Sequence, residues 1–344
     1  MSDINDQEIM RRQRLIAYWL FVVIAMVFLM VILGGVTRLT HSGLSMVEWR
    51  PLTGWLPPFN DPEWMVVFER YQQSPEFMQI NSGMDLEGFK SIFWLEFLHR
   101  LWGRIIGVAF ALPFLFFLAR GWVARGLSPK LGFMFVLGGL QGVMGWYMVK
   151  SGLVDRPDVS QYRLTAHFGL ALVIIGYIEW VALGLLFSSR DDHSNNGLGL
   201  FATVLAAWAF ITALSGGFVA GIDAGFAFNT FPLMDGDLIP PGLYETALSP
   251  FEDITTVQFN HRLLAEALIV LTTIFWFKAR NVTLSARSHR AVNVFAGVVA
   301  VQATLGITTL LLVIPVPLAA AHQAGAVAVF MAALWTAHET TTAA

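Results

Sequence analysis

The chain has 344 residues, of which 56% are hydrophobic and only 13% are charged, and its formal net charge is −3. This composition is too apolar for a typical soluble domain and predicts a protein surrounded by membrane lipid. The absence of cysteine excludes disulfides, cysteine-ligated zinc and iron–sulfur clusters, and the scattered basic residues form no patch that would bind nucleic acid.

Eight apolar segments follow one another along the chain, and each is close to the length needed to cross a bilayer. They are residues 15–36, 92–118, 131–149, 164–187, 198–220, 257–277, 291–314 and 318–337. Their number and spacing predict an all-α polytopic membrane protein with eight transmembrane helices.

The distribution of basic residues predicts the orientation of these segments. Lysine and arginine residues precede the first segment and lie in the second, fourth and sixth connections. The fifth connection, 221–256, contains six acidic residues and no basic one. The positive-inside rule therefore places both termini in the cytoplasm, and the connections 37–91 and 221–256 outside.

An internal repeat divides the chain into two halves of four segments each. Short motifs of the first half recur in the same order in the second: FLHRL (97–101) as FNHRL (259–263), GG (34–35) as GG (216–217), and Gln141 with Gly145 as Gln302 with Gly306. An even number of segments brings both halves into the membrane from the same side, which makes the repeats parallel. We therefore expect two pseudo-symmetric four-helix bundles, in residues 1–190 and 191–344.

Four of the eight histidines occupy repeated positions near the starts of segments two, six, four and eight: His99, His261, His167 and His322. These segments run in the same direction, so we expect the four imidazoles at one depth near the outer edge of the membrane. In an up-down-up-down bundle the second and fourth helices lie on a diagonal, so each half directs two imidazoles at one interior point.

A pair of histidines is a better match for heme iron than for zinc. Zinc usually takes at least three protein ligands, whereas heme iron needs only axial ones. The residue four positions after each histidine is small, which leaves room for a flat macrocycle, although small residues also let membrane helices pack closely. These residues are Gly103, Ala171, Ala265 and Ala326.

Two further positions next to the histidines carry charge. Arg100 and Arg262 are candidates for pairing with heme propionates, and reaching the lipid headgroups is the alternative.

Glu96 precedes His99 by three residues, and Gln258 stands at the equivalent place in the second half. An acid in only one half suggests chemistry there, while an ion pair between Glu96 and a neighbouring arginine is the structural alternative.

Several stretches of the chain resemble heme A synthases of the mitochondrial and alphaproteobacterial type. They are GGVTRLTHSGLSMVEWRPLTGWLPP (34–58), EFLHRLWGR (96–104), TAHFGLAL (165–172), NHRLLA (260–265) and AAHQAGA (320–326). The resemblance covers nearly the whole chain. It implies an oxidoreductase of the bacterial cytoplasmic (inner) membrane that converts a methyl group of heme O into the formyl group of heme A through hydroxylated intermediates, for use in terminal oxidases.

The same resemblance implies roles for individual residues. Glu96 is the catalytic acid, His99 and His167 serve the substrate heme O, and His261 and His322 ligate a heme b cofactor. It also implies heme O synthase as the supplier and an unidentified electron acceptor, and it leaves assembly into a homo-oligomer open.

Two other functions compete with this one. A two-heme b-type membrane cytochrome predicts hemes at two depths, and a repeat-built transporter predicts broken helices near the midplane. Some titratable residues have no assigned role: His41 lies in the first long loop, and Glu179 and Glu266 lie within apolar segments. The remaining histidines, His193, His289 and His338, are expected to be cytoplasmic surface groups.

Overall fold

The computed structural model describes residues 2–50, 53–153, 159–187 and 196–341, and within these ranges the fold contains α-helices, one 3-10 turn and no β-strand. The helices are α1 (Ser2–Leu39), α2 (Asp61–Gln72), α3 (Pro75–Gln79), α4 (Leu86–Ala119), α5 (Ser128–Gly152), α6 (Gln161–Leu186), α7 (Asn196–Gly221), α8 (Ser249–Glu252), α9 (Ile254–Arg280), α10 (Ala286–Leu311) and α11 (Val316–Thr340).

Seven of these helices, within the described ranges, are long and apolar enough to cross a membrane. They are α1, α4, α5, α6, α7, α10 and α11. The sixth expected segment, 257–277, lies on α9, a helix of 27 residues that is not among the seven. Arg262 and Glu266 lie in the first half of α9, and Lys278 and Arg280 lie in its last turn.

The long helices form two groups that share a central seam. In the first group α1 contacts α4 and α6, and α5 contacts α4 and α6; in the second, α7 contacts α9 and α11, and α10 contacts α9 and α11. Helices α6 and α11 meet at the seam. The expected boundary at 190/191, together with Arg190 and His193, lies outside the described residues.

The long connections 40–85 and 222–253 lie at one end of the molecule, which we call the long-loop end. The side chain of Arg38, at the end of α1, donates to the Ala220 carbonyl, at the end of α7, at 3.0 Å. The first connection folds into a small cap in which α2 packs on α4 through Trp64, Phe68 and Tyr71. Burial raises the pKa of the Tyr71 phenol well above its usual value.

A side chain of α1 supplies the hydrogen bond that a proline removes from α4. Pro113 has no N–H, so the carbonyl of Ala109, four residues earlier, lacks its helical partner. The indole Nε1 of Trp19 donates to that carbonyl at 2.9 Å. An unsatisfied carbonyl is costly inside a membrane, so this bond joins α1 to α4 where α4 needs a partner.

Candidate functional site

The imidazoles of His261 on α9 and His322 on α11 face each other at the long-loop end of the second group. Their ring centres are 6.4 Å apart and their planes are nearly perpendicular, at 86°. A metal–imidazole bond is about 2 Å long and a ring nitrogen lies about 1.1 Å from its ring centre, so two rings on opposite sides of one metal have centres roughly 6 Å apart. The observed spacing therefore suits one metal ion between the two histidines.

Ser215 of α7 contacts the ring of His261. The Ser215 hydroxyl lies 2.7 Å from the Thr212 carbonyl and 2.8 Å from His261 Nδ1. When its single proton goes to the Thr212 carbonyl, Ser215 Oγ accepts from an Nδ1–H, and Nε2 keeps its lone pair available for a metal.

Each of the four repeated histidines faces a glycine of a neighbouring helix. An ideal Cβ on Gly34 would lie 3.3 Å from His99 Nε2, and one on Gly216 would lie 3.2 Å from His261 Cε1. The corresponding distances to Cε1 are 3.4 Å from Gly145 to His167 and 2.7 Å from Gly306 to His322. The repeated glycines therefore leave room for the repeated imidazoles.

The residues four positions after the histidines do not all have the expected role. The space beside Gly103 is taken by Met30, whose methyl group would lie 3.3 Å from a Cβ there. Ala171 is buried in the apolar core of the first group. The residues that contact the rings are glycines of adjacent helices. These contacts depend on how the helices pack, and residue spacing along a single helix does not predict that packing.

Two glutamines repeat a contact beside the histidines of α6 and α11. Gln141 Nε2 donates to the His167 carbonyl at 3.1 Å, and Gln302 Nε2 donates to the His322 carbonyl at 2.9 Å. The Nδ1 atoms of both histidines are buried and have no hydrogen-bond partner in the part of the chain that the structure describes. Within the described residues, no group of three or more His, Asp or Glu side chains is placed to hold a metal ion. A metal bound by two histidines must therefore bring its other ligands, as heme iron does.

Glu96 is buried and fully engaged at the long-loop end of α4. Its Oε2 accepts from the Ser45 hydroxyl and from the Met46 N–H, each at 2.7 Å. Its Oε1 pairs with Arg100. The expected alternative, an ion pair with a neighbouring arginine, is therefore present, and three donors in all surround the buried carboxylate.

The two arginines hold the long connections through backbone carbonyls. Arg100 donates to the carbonyls of Met46 and Glu48, at 2.8 and 2.9 Å. Arg262 donates in the same way to the carbonyls of Phe228 and Thr230, at 2.8 Å each. Met46 and Phe228 are 182 residues apart, and so are Glu48 and Thr230. Gly34 and Gly216 differ by the same number. The repeat seen in the sequence therefore extends to the loop contacts.

A comparison with protein families connects this arrangement to known proteins. Residues 17–334 match the family model COX15-CtaA, described as cytochrome oxidase assembly protein. The chain belongs to this family.

Individual relatives agree with the family match. A protein named heme A synthase from Nitrosospira multiformis is 58% identical over 335 residues, which cover 95% of this chain and 94% of that protein. One of the same name from Nitrosomonas eutropha is 52% identical, with 93% and 92% covered. The bovine protein named heme A synthase COX15 is 43% identical over 341 residues, with 95% and 82% covered.

The two halves of this COX15-CtaA protein differ in the interface beside the histidines. Phe135 of α5 stacks on Phe110 of α4, with ring centres 6.3 Å apart. Gly138 and Gly142 lie on the same face of α5 as Phe135, and Gly107 lies one turn before Phe110. A Cβ on any of these three glycines would meet no atom within 4 Å. All three glycines are exposed, so the α4–α5 interface is open toward the surface of the molecule at these positions.

Larger side chains stand at the equivalent places in the second half. The repeat aligns Gly107, Gly138 and Gly142 with Ile269, Val299 and Ala303. Val299 is only 4% exposed and belongs to the second apolar core. Helices α9 and α10 consequently pack more closely than α4 and α5 do.

The other titratable residues lie in varied environments. The expectation that His338 is a surface group is wrong: it is 1% exposed and packs against Trp180, because the end of α11 is covered by α6 and α10. His289 is half-buried and His41 is exposed. Glu266 is also exposed. The last candidate acid, Glu179, is buried, and its Oε2 has no hydrogen-bond partner among the described residues.

Proposed function

We propose that this protein is a heme A synthase, an oxidoreductase that converts a methyl group of heme O into the formyl group of heme A through hydroxylated intermediates. The observation that carries the proposal is the arrangement of four histidines in two repeated, glycine-faced positions, in a family whose named relatives are heme A synthases. The product would serve terminal oxidases, and the enzyme would lie in the bacterial cytoplasmic membrane.

The proposed architecture has eight transmembrane helices in two pseudo-symmetric four-helix bundles, with both termini in the cytoplasm. Helix α9 would be the eighth span, since it packs between α7 and α10 as α4 packs between α1 and α5. The loop contacts that recur after 182 residues support the pseudo-symmetry. The orientation is supported by the acidic, lysine- and arginine-free connection 221–256.

The second half is proposed to hold heme b between His261 and His322. The ring separation of 6.4 Å, the Ser215 bond and the glycine opposite each ring fit this group. Heme b supplies one-electron redox chemistry when it is bound. Arg262 would face a propionate, because its buried Nε–H has no partner among the described residues.

The first half is proposed to hold the substrate heme O through His99 and His167. A substrate must enter and leave, and α4 and α5, which pack less closely than α9 and α10 do, suit exchange better. Leu33 stands at the place equivalent to Ser215, so His99 lacks a matching hydroxyl and is held less firmly. Arg100 has five N–H donors and uses three in the bonds described above, which leaves donors for a heme carboxylate.

Glu96 is proposed as the catalytic acid of the first half. Converting a methyl into a formyl group takes one oxygen atom from water and removes four electrons and four protons in all, and the removal of electrons places positive charge on the reacting carbon. An oriented carboxylate lowers the energy of that charge, and three donors hold Glu96 in place. The electrons require an acceptor outside this chain, and a heme O synthase would supply the substrate.

The proposal is tested by expressing the chain together with a heme O synthase in a bacterium that makes no heme A, and separating the extracted hemes by chromatography. We expect heme A with the wild-type chain. The Glu96→Ala variant should retain heme b and accumulate heme O. Extracts that contain only b-type heme would favour the two-heme cytochrome, and heme A produced normally by Glu96→Ala would refute the role of the acid.

A further inference from the structure

The hydroxyl of Ser45 makes the closest side-chain contact of the first long connection with Glu96. Ser45 Oγ lies 2.7 Å from Glu96 Oε2, and the two residues are each only 2% exposed. The residues are 51 positions apart in the chain. Folding therefore brings a neutral hydroxyl from the loop to a buried acid on α4, and such a charge-assisted bond is stronger than a neutral one.

Three acceptors lie within hydrogen-bond distance of the Ser45 hydroxyl. They are Glu96 Oε2 at 2.7 Å, the Ser42 carbonyl at 3.0 Å and the Ile92 carbonyl at 3.3 Å. A hydroxyl has one proton, and the carboxylate is both the nearest and the most negative of the three acceptors. The bond to Glu96 is therefore the favoured one.

The second half shows that anchoring the loop requires neither an acid nor a hydroxyl. Gln258 replaces Glu96 there and donates its Nε2–H to the Phe228 carbonyl at 3.0 Å. The residue equivalent to Ser45 is Ala227, by the 182-residue shift that relates Met46 to Phe228. In the second half the neutral amide of Gln258 anchors the loop, with Ala227 in place of the serine. The Ser45–Glu96 pair of the first half therefore serves some purpose besides anchoring the loop.

The three bonds to Glu96 divide between its two oxygens. Oε1 is bound by Arg100, while Oε2 is bound by Ser45 and by the Met46 N–H. Two donors on one oxygen and one on the other fix the rotation of the carboxylate plane. Without Ser45, Oε2 would keep only the Met46 N–H and Oε1 its bond to Arg100, so the plane would be restrained by two donors instead of three.

We infer that Ser45 is a positioning residue for the oxidation of heme O, which orients the Glu96 carboxylate toward the reacting substituent. This inference rests on the proposed function. A misdirected carboxylate still allows the substrate to bind, so the rate of conversion depends on Ser45 much more than substrate binding does.

The test compares three variants in membranes that contain a heme O synthase. Ser45→Ala removes the hydroxyl and reproduces the alanine of the second half. Ser45→Thr keeps a hydroxyl at the same position. Ser42→Ala is the matched control: Ser42 is also buried, but its hydroxyl contacts Thr40 and makes no bond to Glu96, and its backbone carbonyl is unchanged. The measurements are the initial rate of heme A formation per mole of purified protein, the heme O that copurifies, and the heme b content.

For Ser45→Ala we expect the rate to fall about tenfold to a hundredfold, as for the loss of one hydrogen bond to a charged group. Copurifying heme O and heme b should stay within twofold of wild type. Ser42→Ala should convert heme O at more than half the wild-type rate, and Ser45→Thr should recover most of the activity. If Ser45→Thr does not accumulate, Ser45→Ala and Ser42→Ala decide the question.

Three results would overturn the inference. They are a wild-type rate in Ser45→Ala, equal losses in Ser42→Ala and Ser45→Ala, and a loss of heme O and heme b in Ser45→Ala that accounts for its lower rate. A wild-type chain that forms no heme A would instead refute the proposed function itself, whatever the variants do.

Discussion

Replacing Gly306 by alanine tests whether His322 is held at the distance that an iron ion requires. A Cβ at this position would lie 2.7 Å from His322 Cε1. Carbon atoms in ordinary contact are about 3.5 Å apart, so the ring would have to withdraw by roughly 0.8 Å. Metal–nitrogen distances tolerate only about 0.2 Å of error. Overpacking costs about 1–3 kcal/mol, and we therefore expect heme b to bind roughly tenfold to a hundredfold more weakly.

The assay is the heme b content and the visible spectrum of the purified protein, before and after washing with an excess of apomyoglobin to remove weakly bound heme. Loss of one axial histidine should change the spectrum from low-spin to high-spin. Gly145→Ala is the matched control, because a Cβ there would lie 3.4 Å from His167 Cε1, an ordinary contact, and would leave the heme b content unchanged. A Gly306→Ala protein with full, low-spin heme b would refute the proposed ligation by His322.

Three other substitutions test separate parts of the structure. Ser215→Ala removes the hydroxyl that contacts His261 Nδ1, and we expect heme b affinity to fall about tenfold to a hundredfold, measured by heme transfer to apomyoglobin; unchanged transfer would mean that this contact does not support heme binding. Gly138→Val introduces at the α4–α5 interface the valine found at the equivalent position 299, and should reduce copurifying heme O without reducing heme b. The control is Gly297→Val, because Gly297 is another glycine with no described atom within 4 Å of its Cβ position. Equal heme O in the two variants would argue against the α4–α5 interface as the place where the substrate binds. Arg287→Met leaves the Glu339 carboxylate, which is 1% exposed, without its ion-pair partner and should destabilise the protein by about 3 kcal/mol, seen as earlier thermal unfolding; an unchanged midpoint would mean that the pair contributes nothing.

The sequence was sufficient to predict the features that depend on local composition and on repetition. Apolar segments are recognisable because lipid excludes charge, and seven of the eight expected segments fall on helices that meet the length and polarity needed to cross a membrane. The repeated histidines could be found because duplicated positions remain in register along the chain. The pairing of His261 with His322 follows from placing the second and fourth helices of a bundle on a diagonal.

Contacts between distant parts of the chain were not predictable in the same way. The bonds from Ser45 and Met46 to Glu96 join a loop to a helix about 50 residues away, and nothing in the loop's composition indicates them. Arg100 also binds loop carbonyls, a function for which no sequence pattern is diagnostic. His338 was misplaced on the surface because its position near the end of a helix does not show that neighbouring helices cover that end.

The charged residues on successive turns of α4 differ from those on the equivalent turns of α9. Successive turns of α4 carry Glu96, Arg100 and Arg104, and the equivalent turns of α9 carry Gln258, Arg262 and Glu266. The central arginine holds a loop in both halves, so loop anchoring accounts for it. The outer two positions differ: the acid lies before the arginine in one half and after it in the other.

This displacement of the acid changes where negative charge is buried. Glu96 is 2% exposed and lies within one turn of His99, whereas Glu266 is exposed. A buried carboxylate is costly unless donors surround it, and the first half provides three donors. The second half anchors its loop without that cost. The acid of the first half therefore requires an explanation beyond folding, and stabilising charge in a bound substrate is one that the geometry supports.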